Sequence, residues 1–101
     1  MLVDFAIIPV GQGEHLSKPL AEILKIVDTS GLPYKLTPSS TCIEGEWQEV
    51  MEVVRQCNMR MREKSHHVIT IIKIEDEEGA TDKLTRNITS VEESAGRKLS
   101  T

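Results

Sequence analysis

A chain of 101 residues with 12 Lys and Arg against 16 Asp and Glu carries a formal charge of −4, and its length suits one small domain that folds without disulfides or metals. Hydrophobic residues make up 39% and charged residues 28%, the composition of an ordinary soluble globular protein, not of a disordered tail. The acidic balance and the presence of only three aromatics, Phe5, Tyr34 and Trp47, argue against a nucleic-acid partner, which needs excess cations and stacking rings.

No apolar run approaches the roughly 20 residues of a membrane span. The start Met1-Leu2-Val3-Asp4 has no basic segment ahead of an apolar one, so a cytoplasmic protein with no membrane partner is expected. Cys42 and Cys57 show no CxxC spacing, which predicts two reduced, buried thiols and neither a zinc site nor a redox pair.

The first segment, Leu2 to Val10, is an almost continuous apolar run that meets Pro9 and then Gly11-Gln12-Gly13: a strand entering a loop. Leu16, Leu20, Ile23, Leu24 and Val27 follow at helical spacing, with Ser17 as expected N-cap, Pro19 in the first turn and Gly31 as the stop. Two extended pieces, Tyr34 to Pro38 and Thr41 to Glu44, flank Ser39-Ser40 and suit a hairpin. From Glu46 onward, Trp47, Val50, Met51, Val54, Cys57 and Met61 form one helical stripe. Glu46 and Glu49 stand near its start and Arg60, Arg62 and Lys64 near its end, as the helix dipole prefers. The β-branched run within His67 to Glu75 predicts another strand. After the acidic loop Glu75-Asp76-Glu77-Glu78-Gly79, Leu84, Ile88, Val91 and Ala95 mark a last helix from about Asp82, with Thr81 as expected N-cap.

The order βαββαβ plus a helix predicts an α+β, ferredoxin-like sandwich with an additional C-terminal helix, one domain over residues 1–101. Both faces of its sheet read as apolar. Val3, Phe5 and Ile7 alternate with Leu2, Ala6 and Ile8, and Ile69 and Ile71 alternate with Val68, Ile72 and Ile74. A second copy of the chain is the simplest cover, which predicts a homodimer or homotetramer; the last helix folding over that face is the competing explanation.

No catalytic signature emerges, and the chain is expected to be a non-enzyme with no cofactor and no metal. Gly11-Gln12-Gly13 lacks the third glycine of a dinucleotide fingerprint and the Lys-Ser/Thr of a phosphate loop. His66 and His67, adjacent at a strand start, point to opposite sides; His15 has no identifiable partner. The run Glu75 to Glu78 lacks the spaced ligands of a calcium loop.

The richest string is Leu36 to Trp47, which gathers the hydroxyls of Thr37, Ser39, Ser40 and Thr41, the Glu44 carboxylate and the only Trp. These groups can build a pocket for a small polar heterocycle. They also satisfy ordinary needs: Ser39-Ser40 as a turn, the glutamates at a helix start, and Trp47 as a staple between helix and sheet.

The strings Ile7-Ile8-Pro9-Val10-Gly11, Tyr34-Lys35-Leu36-Thr37-Pro38, Thr41-Cys42-Ile43-Glu44-Gly45-Glu46-Trp47 and Val68-Ile69-Thr70-Ile71-Ile72-Lys73-Ile74 make the chain resemble the small thiamine-binding protein family, the single-domain relatives of the YkoF-like proteins. The resemblance covers nearly the whole chain and implies a ferredoxin-like fold, dimers or tetramers, and a site near the subunit interface. Its ligand would be thiamine or the hydroxymethylpyrimidine part of thiamine, with no established catalysis. Carried onto this sequence, it offers Thr37, Thr41, Glu44 and Trp47 as ligand-binding candidates; Ser39 joins them from its place in the hairpin and Phe5 from the scarcity of rings. An aminopyrimidine would pack on an aromatic face, pair with these hydroxyls or Glu44, and have its thiazolium cation favoured by nearby carboxylates. Two features depart from the family pattern: His66-His67 replaces a turn with a basic residue, and the loop at Glu78-Gly79-Ala80 lacks the usual basic run. The expected role is a carrier, buffer or sensor. The alternatives are a structural or protein-interaction module without a small ligand and, least favoured, an enzyme of thiamine salvage.

Overall fold

The computed structural model describes residues 1–13 and 15–101. Seven elements follow in order: β1 (Leu2–Pro9), α1 (Ser17–Thr29), β2 (Tyr34–Leu36), β3 (Thr41–Glu44), α2 (Trp47–Arg62), β4 (Val68–Glu75) and α3 (Lys83–Ala95). The strands form one antiparallel sheet in the order β2-β3-β1-β4, which is the ferredoxin-like arrangement expected from the alternation of elements.

The two apolar sets of β1 separate as the twofold side-chain period requires, whereas in β4 the helix-side Ile72 and Ile74 stay exposed as well. Val3, Phe5, Ile7 and Ile43 face α1 and α2, where they close a core with Ile23, Val27, Val50, Val54, Cys57 and Met61. Gly45, at the exit of β3, admits the close approach of α2, because a Cβ there would stand 3.2 Å from the Val50 side chain and 3.3 Å from that of Leu32. The opposite, outer face carries Ile8, Ile69 and Ile71, all exposed. Helix α3 rests against β3, buries none of its own residues, and leaves that apolar strip uncovered.

Helix ends follow local chemistry in one case and distant chemistry in another. At α2, Glu46 and Glu49 form a reciprocal capping box, so both acids have a structural use beyond the dipole. At α1 the N-cap position is Leu16, without a side-chain cap. Leu20 N–H donates to Leu16 C=O at 3.0 Å, closing the first turn one residue early and placing Ser17 inside the helix, not at its cap. At α3 the N-cap is Asp82, in the left-handed region at φ 55°, and it makes no side-chain cap. Thr81 is therefore not the cap either. The free N–H groups of Lys83 and Leu84 instead donate to the two Glu44 carboxylate oxygens at 2.7 and 3.0 Å.

Strand ends differ from expectation by a residue or two. β2 stops at Leu36 because Thr37 N–H donates to Ser40 C=O at 2.9 Å and starts the turn; β4 starts at Val68, and β1 ends at Pro9. The thiols are free. Cys57 is buried as expected, and burial pushes its thiol up to about 12. Cys42 is only half-buried, because it lies on the outer face opposite Asp4, beyond the reach of α1 and α2.

Candidate functional site

The hairpin is longer than its ladder with β1, and this mismatch opens a cavity. β3 pairs with β1 only from Leu2 to Phe5, whereas β4 pairs with β1 along its whole length to Pro9. Beyond Phe5 the hairpin curls away as the Thr37–Ser40 turn. A cavity of about 600 Å³ remains between that turn, the upper half of β1 and the first turns of α1, within the range of small-molecule sites, roughly 300–1,000 Å³.

Phe5, Thr37, Ser39 and Thr41 all line this cavity, so the structure brings together four of the six candidates. Phe5 forms part of the floor, its ring in the core. The Thr37 hydroxyl is already engaged, donating to Ser40 C=O at 2.9 Å and accepting from Ser40 N–H at 3.0 Å; its work is to lock the turn. Thr41 is 5% exposed, shares the helix-side face with Phe5 across the ladder, and its hydroxyl enters no hydrogen bond among the described residues. The same holds for the exposed Ser39 hydroxyl. The walls are aliphatic, from Ile8, Leu16, Leu20, Leu24 and Leu36. No acidic or basic side chain lines the cavity among the described residues, so it offers a ring apolar contact and a few hydrogen-bonding groups without charge.

Glu44 and Trp47 lie elsewhere. Glu44 is 8% exposed on the outer face, opposite Leu2, with both oxygens committed to the start of α3. Trp47 opens α2, past the far end of β3, and its indole is 54% exposed. Neither lines the cavity, and no carboxylate among the described residues stands where a bound thiazolium would need one. Tyr34, the third ring, donates its hydroxyl to Asp28 at 2.7 Å, tying β2 to the end of α1. That hydrogen bond is the main cause of its raised pKa.

A wider groove of about 660 Å³ runs between α1 and α2, but two of the carboxylates that line it are paired with cations outside its lining. Glu22 pairs with Lys64 at 2.6 Å and Glu52 with Arg55 at 2.7 Å; the Arg55 hydrogen bond holds Glu52 at about 2. His66 and His67 are both exposed, and no group of three or more His, Cys, Asp or Glu side chains able to hold a metal occurs among the described residues. Among the described residues, no helix is long and apolar enough to cross a membrane.

One group that sequence reasoning overlooked is main-chain. The strand edge bared where β3 stops is invisible to residue-type patterns, although the expected Ser39-Ser40 turn, which falls opposite the upper half of β1, was its signal.

Comparison with known proteins agrees with this architecture. The profile described as "Thiamine-binding protein" matches residues 3–92. A UPF0045 protein of Mycobacterium bovis is 34% identical over 93 residues, 91% of each chain. The UPF0045 protein YqgV of Bacillus subtilis is 31% identical over 96 residues, 89% of this chain and 92% of YqgV. Among solved structures, a hypothetical protein of Methanocaldococcus jannaschii superimposes with a TM-score of 0.83 at 18% identity, covering 89% of this chain and 93% of its own. A Thermotoga maritima protein with a provisional thiamine biosynthesis/salvage designation gives a TM-score of 0.77 at 19% identity, covering 89% and 96%. These two share the fold. The match across residues 3–92 and the full-length relatives together establish that the chain belongs to the thiamine-binding protein family.

Proposed function

We propose that this protein binds thiamine or its hydroxymethylpyrimidine part without transforming it, as a carrier, buffer or sensor working in a homo-oligomer. The observation that carries this reading is the uncharged cavity that gathers Phe5, Ser39 and Thr41 beneath the hairpin. An aromatic floor and aliphatic walls suit a flat ring, and two free hydroxyls suit its nitrogens. The uncharged pyrimidine half fits these walls; the cationic thiazolium belongs at the mouth, in solvent. Membership in the thiamine-binding family and the designation of the Thermotoga maritima structural relative support the same ligand. The hydroxyls in the cavity have no neighbouring His, Asp or Glu base among the described lining residues, and a hydroxyl without a base is a binding group, not a nucleophile.

Calorimetric titration with thiamine and with hydroxymethylpyrimidine tests the reading. Saturable binding by at least one is expected, and Thr41→Val, which keeps the shape and removes the hydroxyl, should weaken it about fivefold, the worth of one buried hydrogen bond of ~1 kcal/mol. No saturable heat with either compound refutes it. A second reading, an interaction module without a small ligand, is favoured by one observation, the bare apolar strip of Ile8, Ile69 and Ile71. Sedimentation separates the two: a self-sufficient homo-oligomer uses that strip on itself, whereas a monomer leaves it for another protein.

A further inference from the structure

Main-chain hydrogen bonds of an antiparallel strand alternate between its two neighbours, and the direction of each β1 residue is fixed by its ends. Met1 and Gly45 exchange both bonds, Met1 N–H to Gly45 C=O at 3.0 Å and Gly45 N–H to Met1 C=O at 3.1 Å. On the other side, Val10 N–H donates to His67 C=O at 2.8 Å. Odd-numbered residues of β1 therefore point their N–H and C=O toward β3, and even-numbered ones toward β4. Val3 and Phe5 meet Ile43 and Thr41. The next odd residue, Ile7, would meet Ser39 by the same register, but Ser39 is in the turn and no pairing is made there. Pro9, the odd residue after it, has no N–H to offer.

Ile7 is 5% exposed and lines the cavity together with Ser39 and Thr41. Its N–H and C=O, directed side by side into that gap, have no partner among the described residues, and buried main-chain groups left so are rare in native proteins. We infer that the open edge of β1 at Ile7 is the group that reads the ligand: its N–H donates to a ring nitrogen and its C=O accepts from an amino group on the adjacent ring carbon. The chemical class this selects is a planar heterocycle with an amino group beside a ring nitrogen, an amidine edge, lying in the plane of the sheet where β3 would have continued. Ser39 closes the far side of the slot, and the Thr41 hydroxyl serves as a flanking group. This inference rests on the reading of the cavity as a pyrimidine site and adds which edge of the pyrimidine is read and by what.

The experiment uses the whole nitrogen-15-labelled protein, titrated with hydroxymethylpyrimidine and with the analogue whose exocyclic amino group is replaced by a carbonyl. Binding of the amino compound should move the Ile7 amide proton downfield and slow its hydrogen exchange at least tenfold, while the β4-paired amide of Ile8 responds far less. The carbonyl analogue, whose adjacent ring nitrogen becomes a donor facing the Ile7 donor, should bind at least about tenfold more weakly. If the amino compound binds with the Ile7 amide unchanged, or if both compounds bind equally, the edge is not the reader and the proposed function survives without it. If neither compound binds, both the inference and the reading beneath it are overturned.

Discussion

Replacing Glu44 separates a structural carboxylate from a ligand-binding one. Its two oxygens accept from the first two free N–H groups of α3 at 2.7 and 3.0 Å, a capping arrangement supplied by another strand instead of the helix's own N-cap. Loss of an N-cap acceptor costs ~0.5–2 kcal/mol and loss of an anion at a helix start ~0.3–1 kcal/mol, so Glu44→Ala should loosen α3 by about 1–3 kcal/mol. Glu44→Gln keeps one acceptor, and its amide nitrogen faces an N–H, which gives about half that. Because α3 buries none of its residues, the loss should appear as undocking of α3 and not as collapse of the core. Hydrogen exchange of the Leu84 to Ile88 amides reads it directly: protection should fall roughly tenfold to a hundredfold, as ~1.4 kcal/mol per decade requires, with the amides of β1 unchanged. Ligand affinity measured on the same variant should stay within about twofold, since Glu44 lies outside the cavity. Full α3 protection in Glu44→Ala refutes the capping argument. Lost ligand binding with α3 still docked would make Glu44 part of the site.

Three further outcomes can be checked independently. Ile71→Glu, at a position 57% exposed on the outer face, should leave the melting temperature of the fold nearly unchanged and shift sedimentation toward monomer; an unchanged assembly would move the interface elsewhere. Glu75 is held below the usual carboxylate range first by the Asn87 hydrogen bond and then by Lys83. Its contribution is full above that ordinary range and disappears as pH falls through the lowered value, so α3 exchange should accelerate in acid below about pH 4, and Glu75→Gln should flatten that dependence. Alkylation at mildly alkaline pH should modify Cys42 well before Cys57, whose thiol burial pushes to about 12; simultaneous labelling would mean that the core opens far more readily than its packing implies.

The stripes of α1 and α2 and the core face of β1 were legible because their periods mark the side that is buried. Alternation in β1 separates Val3, Phe5 and Ile7 from Ala6 and Ile8. The same period explains where the site reading failed to hold together. Thr41 and Glu44 are three residues apart in one strand, an odd offset that sends their side chains to opposite faces and about 10 Å along it. A compact string of hydroxyls, acid and Trp thus unfolds into a cavity group and a separate cap. The α3 cap itself was hidden because its partner lies 39 residues upstream, beyond the local window in which Ser, Thr and Asp are recognised as caps. The bare edge at Ile7 was hidden for a different reason: it depends on where a neighbouring strand stops, not on which residue stands there.

Pro9 gives that bare edge a second property. An exposed strand edge is a template on which any extended chain can grow, and the usual defences are charge, a bulge or a proline. The ring nitrogen of Pro9 falls on the same side as the Ile7 N–H, so the rung after Ile7 lacks one of its two hydrogen bonds. A molecule needing a single rung is satisfied; a polypeptide, which gains stability by adding rungs in succession, is penalised at the next. The slot therefore sorts its visitors by length as well as by chemistry, keeping a permanently open edge from becoming a seed for swapping or fibre growth.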